Sequence, residues 1–327
     1  MCGRQRKVVS DWGNKKIVFL VGMPRSGTTL LIEQLARYRD IEATAETHFF
    51  RLHCRSAKTA HKELSPFAAL TLFDNLNGIL NIQREDSSQF RKRVIIGEKK
   101  TCAEIVNLVF KTKLNFSGKS ILIEKTPDHL IFSEAVIACF PEAQFIYLVR
   151  DPRDVALSWQ SVPWNPAGLL WPLMRWRKMV LKANEMESDK RFSLITIRYE
   201  DLLSNPAKVL KKLAYKLQIN PSTFAPGKKK AATFDPVKES WKAAAMEPVN
   251  SENVEKWRLD MESAAQYLAE LLLGRWLKHY GYPLVNYKLS SVGLLSLVKL
   301  IGREFYLMGR VVPKSLLRSV GLLVRKS

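Results

Sequence analysis

The 327-residue chain has only four cysteines, Cys2, Cys54, Cys102 and Cys139. They are far apart in the sequence and form no C-x-x-C pair, which argues against a zinc ribbon and against a disulfide framework; reduced thiols in a cytoplasmic protein are the expectation. Long apolar runs are missing too. No stretch approaches the roughly 18 uncharged apolar residues of a membrane span, and the opening MCGRQRKVVSDWGNKK lacks the apolar run of a signal peptide. Secretion and a membrane-spanning topology are therefore not expected. Acidic residues are scarce: 31 Asp and Glu stand against 52 Lys and Arg, a net charge of +21. That surplus favours an anionic partner, whether nucleotide, membrane surface, nucleic acid or polyanionic acceptor, without choosing among them.

What is present suffices for one large core with a short appendage, since 46% of the residues are hydrophobic. Short apolar runs rich in β-branched residues recur at 17–21, 121–123, 145–149 and 194–197, each followed by a turn and a helical pattern. Strand, turn and helix in repetition predict an α/β fold, a parallel sheet covered by helices on both faces. Leu31, Leu35 and Tyr38 fall on one helical face after the loop 22–29 and should pack on the sheet. Residues 49–118 read as mostly helical, 168–189 as a Trp-rich helix, and 225–248, with Lys228, Lys229 and Lys230, as an irregular surface loop.

Two segments carry an anion-binding pattern. The apolar run IVFLV leads into GMPRSGTTL and a helix, an arrangement that aims backbone N–H groups and a helix N-terminus at an anion. Gly22 and Gly27 frame a P-loop-like turn, but Thr28 stands where a nucleoside triphosphatase carries lysine. The cation comes earlier, from Arg25, while Ser26, Thr28 and Thr29 add hydroxyl donors. A terminal group with a single charge needs less neutralisation than a phosphoryl group, so no metal is expected. The second segment, QFIYLVRDPRDVALSW, ends a strand in Arg150 and brings Ser158 eight residues on, in a helix expected to begin near Pro152. An arginine at a strand end and a hydroxyl in the next helix converge on a second anion.

With these segments in place the sequence resembles the family of sulfotransferases that use 3′-phosphoadenosine 5′-phosphosulfate (PAPS), bacterial members and protein-tyrosine sulfotransferases included. The resemblance runs through PRSGTT (24–29), EKTP (124–127), LVRDPRDVALS (148–158), RYEDLLSNP (198–206) and VEKW (254–257). It implies a P-loop-like doubly wound sheet, with the loop of Arg25, Ser26, Gly27, Thr28 and Thr29 on the 5′-phosphosulfate, Arg150 and Ser158 on the 3′-phosphate, and Tyr199 and Lys256 approaching the nucleotide. It also implies a transfer of the sulfuryl group to an acceptor hydroxyl, whose class, lipidic or otherwise, stays open. Near VNSENVEKW the chain departs from the tyrosylprotein pattern, because Glu255 replaces a serine; this weakens any inference that the acceptor is a protein tyrosine.

The acceptor must lose a proton as it attacks sulfur, so a carboxylate or imidazole is needed within reach. The resemblance points to Glu46 in ATAETHFF, with His48 and His53 as rivals, and it sets Lys125 and Arg25 beside the leaving oxygen. Lys125 also has Glu124 and Asp128 as alternative partners. Two other classes are weighed: a P-loop kinase of a small metabolite, which Thr28 disfavours, and a nucleic-acid-binding module, for which the charge has no accompanying motif. Residues 1–285 are read as the sulfotransferase domain and 286–327 as a basic amphipathic tail. In the tail Leu294, Leu297, Val298, Ile301, Phe305 and Met308 form a stripe with Lys299, Arg303 and Arg310 on another side, and a second run resumes after Pro313. The tail fits either a terminal helix packed on the domain or a peripheral anchor on an anionic membrane.

Overall fold

The computed structural model describes residues 12–82, 100–162, 168–224, 254–286, 288 and 293–311. The expected loop 225–248 and the run after Pro313 lie outside the described residues. Five strands, β1 (Lys16–Gly22), β2 (Ile41–Ala43), β5 (Ile121–Glu124), β6 (Gln144–Val149) and β7 (Ser193–Arg198), form one sheet in the order β2-β5-β1-β6-β7. Every pairing is parallel, Phe19 lying opposite Glu124 on one side and opposite Phe145 on the other. A small antiparallel pair, β3 (Glu63–Leu64) with β4 (Lys100–Thr101), stands apart from it.

Because alternate side chains of a strand point to opposite faces, β1 feeds two cores. Ile17, Phe19 and Val21 join a large core on one face. It is built with α2 (Phe49–Leu52), α3 (Ala57–Ala60), α4 (Pro66–Leu80), α5 (Cys102–Ser117), α6 (Ser133–Cys139), α7 (Pro152–Gln160), α8 (Leu170–Ser188), α11 (Trp257–Asp260) and α12 (Ser263–His279). Val18 and Leu20 join a smaller core with α1 (Thr28–Leu35), α9 (Tyr199–Ser204) and α10 (Pro206–Leu217). Leu31, Leu35 and Tyr38 are buried there, as the helical spacing predicts. Each fully buried Val, Leu, Ile or Phe contributes roughly 1.5–3 kcal/mol, so a strand buried on both faces is a firm base for the loop that follows it.

The connection from β1 runs toward β2 and the connection from β6 toward β7, in opposite directions across the sheet. The crevice between the carboxyl ends of β1 and β6 is therefore the topological switch point, where open α/β sheets receive ligands. Both predicted anion-binding segments end there. The sheet carries Gly22 so close to β6 that a Cβ would lie 2.5 Å from the Leu148 carbonyl oxygen.

Three cysteines that are far apart in sequence converge in the large core. Cys54, Cys102 and Cys139 are buried free thiols, with Cys54 Sγ 3.9 Å from Cys139 Sγ. The tail forms α13 (Leu294–Val311), and it divides the stripe read from the sequence. Leu297, Leu300, Glu304 and Met308 are buried, whereas Leu294, Leu295, Val298, Phe305 and Tyr306 are exposed. Glu304 explains the division: its carboxylate accepts from the backbone N–H groups of Leu169 and Leu170 at 2.6 and 2.9 Å, capping the start of α8.

Candidate active site

The loop after β1 is shaped by two left-handed residues, Arg25 with φ 76° and Gly27 with φ 91°. Glycine is required at 27 by space as well as by conformation, since a Cβ there would lie 2.5 Å from the Tyr199 ring. Arginine pays for φ > 0 with strain, and the strained conformation is held because the Arg25 carbonyl accepts from Arg150 Nη1 at 3.1 Å. The Arg25 side chain reaches across the crevice, where Nε donates to Ser158 Oγ at 3.1 Å. The loop after β1 and the helix after β6 are thus joined through Arg25 and Ser158. Burial first, and then the neighbouring Arg150 charge, lower the pKa of Arg25. Two guanidiniums held together in a crevice are what an anionic ligand would relieve.

Ser26 is buried, and its hydroxyl has no hydrogen-bond partner among the described residues. A buried orphan hydroxyl is costly unless a ligand completes it. Thr28 and Thr29 open α1, whose first backbone N–H groups have no acceptor within the helix. Tyr199, at the start of α9, closes the crevice, and the Arg150 guanidinium carbon lies 4.6 Å from its ring centroid. The Trp176 indole N–H of α8 donates to the Arg150 carbonyl at 2.9 Å and fixes the strand end from the other side.

The remaining charges of R-D-P-R-D serve the scaffold. Asp151 caps α7 by accepting from the Arg153 backbone N–H and pairs with the Arg153 guanidinium at 2.7 Å. Arg153 is fully buried, stacked 3.4 Å over Trp257, and bonded to Glu270 and the Pro283 carbonyl. Asp154 accepts from the backbone N–H groups of Glu255 and Trp257 at 2.9 and 3.0 Å. That latch holds the turn bearing Lys256, whose side chain is exposed. Of the two aspartates in this segment, Asp151 pairs with an arginine while Asp154 serves backbone N–H groups.

On the other side of β1 the carboxyl end of β5 delivers Glu124, Lys125 and Thr126, all fully buried. Lys125 pairs with Glu46, Nζ to Oε1 at 2.7 Å. Glu46 Oε2 faces His48 Nε2 at 3.6 Å. Burial lowers the His48 pKa, the Glu46 charge works the other way, and the net shift is downward, which leaves the ring neutral at pH 7. His53 is exposed and rests its ring against Phe49, outside this cluster.

Glu124 is the residue that sequence reading missed. It accepts from the Thr47 backbone N–H, the Thr47 hydroxyl, the Thr126 hydroxyl and His129 Nδ1, at 3.2, 2.9, 2.5 and 2.9 Å. Thr126 Oγ1 in turn accepts from the Thr47 and His48 N–H groups, and His129 Nε2 from the Phe50 N–H. Burial alone would raise the Glu124 pKa, but His129 and these hydrogen bonds outweigh it and hold the carboxyl below its ordinary range. The segment carrying Glu46 and His48 is pinned to E-K-T-P directly after Glu46, through Thr47 and His48. Thr47, between two candidate bases, was the one available signal.

Among the described residues no group of three or more His, Cys, Asp or Glu side chains is arranged to hold a metal ion. The crevice instead offers cations, hydroxyls and backbone N–H groups, a donor set for an anion.

The fold and the crevice define an α/β protein with a P-loop-like anion cradle. The profile of the sulfotransferase family matches residues 18–223, more than half of the sequence, and the chain belongs to that family. The nodulation protein NoeE of Sinorhizobium fredii (strain NBRC 101917 / NGR234) is 28% identical over 145 residues, 44% of this chain and 31% of that protein's length. Among solved structures, the sulfotransferase domain from the curacin biosynthetic pathway superposes with a TM-score of 0.58 at 19% identity, over 83% of this chain and 99% of that one. The sulfotransferase domain of the Synechococcus PCC 7002 olefin synthase gives a TM-score of 0.58 at 22% identity, over 83% and 97%. These two likenesses establish the fold. Membership in the family sets aside the metabolite-kinase reading.

Proposed function

We propose that the chain transfers a sulfuryl group from PAPS to an acceptor hydroxyl, giving a sulfate ester and 3′-phosphoadenosine 5′-phosphate (PAP). The observation that carries this reading is the cradle at the switch point, where the buried orphan hydroxyl of Ser26 lies in the loop that joins Arg25 to Ser158 and Arg150. Arg25, Ser26 and the N–H groups of Gly27, Thr28 and Thr29 would hold the 5′ anion, Arg150 and Ser158 the 3′-phosphate. Tyr199 and Lys256 border the nucleotide. PAPS supplies a sulfuryl group activated by its anhydride bond to phosphate. Glu46 takes the proton of the attacking hydroxyl, oriented by Lys125 and with neutral His48 beside it. Lys125 and Arg25 offset the charge that grows on the leaving oxygen. The direct test supplies isotopically labelled PAPS to the protein with cell extract and identifies the labelled product. A labelled ester formed together with PAP is the expected result; intact PAPS binding with no label transferred would contradict it.

A second reading concerns the place of action, and the outward face of α13 supports it. Leu294, Leu295, Val298, Phe305 and Tyr306 stay exposed while the opposite face is buried on the domain, with Lys299 and Arg303 exposed alongside. An exposed apolar face flanked by cations suits shallow insertion into an anionic membrane surface, with the protein otherwise cytoplasmic. No described helix is long and apolar enough to cross a membrane.

A further inference from the structure

Beside Glu46 and His48 the structure gathers cations that the transfer itself does not use. The start of α2 is fastened to the 3-10 helix Pro127–Phe132 by the bonds from the His48 N–H to Thr126 and from the Phe50 N–H to His129. His48 and Arg51 are three residues apart and share one side of that turn. Asp128, three residues after Lys125, takes an ion pair from Arg175 of α8. Arg175 also lies over the Trp159 ring of α7, its guanidinium carbon 5.6 Å from the centroid. Lys178, one turn further along α8, is half-buried and makes no ion pair within 4 Å among the described residues; Arg51, exposed, makes none either. One carboxylate thus stands among three cations.

Two further facts show that the cluster is more than a solvated surface. The Arg175 Nε is buried and without a hydrogen-bond partner among the described residues. Burial first, then the Arg175 charge, lower the Lys178 pKa against the opposing pull of Asp128. At Asp128 burial works upward, but Arg175 and then Arg51 hold the carboxyl below its ordinary range. A site with surplus positive charge and an unfilled buried donor is stabilised by an oxyanion.

We propose that the acceptor carries an anionic group, a carboxylate or a phosphate, which docks among Arg51, Arg175 and Lys178 and so presents its hydroxyl to Glu46. This rests on the transfer reading above and names the acceptor class that the site selects. The charged group is held at the edge of the base cluster by Arg51, Arg175 and Lys178, none of which is among the residues assigned to the 3′-phosphate, so donor and acceptor anions use different cations.

The test uses the full chain and three ligands on one skeleton, 4-hydroxyphenylacetate, 4-hydroxybenzylphosphonate and the neutral 4-hydroxyphenylacetamide, titrated calorimetrically with and without PAP. The charged members should bind roughly 10-fold more tightly than the amide, as a charge-assisted contact implies, and the stronger of the two identifies the anion as carboxylate or phosphate. Higher salt should shrink the preference. Arg51→Gln and Lys178→Gln should each reduce it, and the double variant should bring it close to one. Arg175 is left intact because Asp128 depends on it. Equal binding of all three ligands, binding of none, or a preference that survives the double variant would overturn the proposal. PAP is titrated alone in parallel: its failure to bind would sink the donor reading, while the charge preference is scored without it.

Discussion

The two halves of the site are built in different ways. The cradle after β1 and β6 is local: glycine at 27, a left-handed Arg25 and the opening of α1 shape it within eight residues, and the bonds from Arg25 to Ser158 and from Arg150 to the Arg25 carbonyl join its two parts. The base cluster is assembled at long range. Glu46 comes from a loop with little regular structure, and it is held because Glu124, 77 residues beyond Thr47, accepts from that threonine twice. The local half shows as motifs, and the long-range half shows only once the chain is folded. The two should therefore fail differently when perturbed.

The largest expected effect is on the base side. Glu46→Gln keeps the size and the hydrogen bond to Lys125 but removes the proton acceptor, so turnover should fall by about 10²- to 10⁴-fold. PAP affinity, measured by calorimetry, should change little. Normal turnover in this variant together with an inactive His48→Ala would move the role to the histidine.

Glu124→Gln attacks the same side through its support. Losing charge-assisted bonds to Thr47, Thr126 and His129 should cost about 1.5–3 kcal/mol in denaturant unfolding. The sign with pH follows from the lowered pKa. Above the ordinary carboxylate range the unfolded and folded states are both ionised and the contribution is complete; as pH falls through the folded value the contribution is lost. The acid limb of the wild-type stability curve should be steeper than that of Glu124→Gln, and identical limbs would exclude Glu124 as the anchor.

Gly27→Ala attacks the donor side. The new Cβ meets the Tyr199 ring at 2.5 Å in a left-handed conformation, a strain of about 1–3 kcal/mol that should appear as weaker PAP binding. A variant that binds PAP as well as the wild type would show that the turn does not need its glycine. The smallest effect is expected at the tail. Removing residues 290–327 should abolish binding to anionic vesicles, where each basic residue near the surface contributes about 1 kcal/mol. The deletion also removes Glu304 from the start of α8, so some loss of thermal stability is expected with it. Phe305→Ser separates the two, because Phe305 faces outward: it should weaken vesicle binding while leaving the melting temperature near that of the wild type.

Legibility in the sequence followed the same division. The parallel sheet, the helix after Gly27 and the start of α7 at Pro152 were readable because each rests on local spacing and burial. Arg25, Ser26, Arg150 and Ser158 were found in motifs, and the structure brings them into one crevice. The buried roles of Glu124 and Asp154 were not readable, since a carboxylate that accepts from distant backbone N–H groups looks in sequence like any surface charge. The tail misled in a related way. Hydrophobicity marked one stripe, yet the buried face is organised around Glu304, a charged residue whose partners lie 134 and 135 positions earlier.

If the crevice between β1 and β6 cradles a nucleotide with anions at both its 5′ and 3′ ends, the 3′-phosphate must contribute to affinity through Arg150 and Ser158. The most direct measurement is a calorimetric comparison of PAP with ADP, which lacks the 3′-phosphate, on the wild type and on Arg150→Ala and Ser158→Ala. The wild type should prefer PAP, Arg150→Ala should remove about 1.5–3 kcal/mol from PAP binding and Ser158→Ala less, with little change for ADP. Equal affinity of the wild type for PAP and ADP, or equal losses for both nucleotides in the variants, would contradict it.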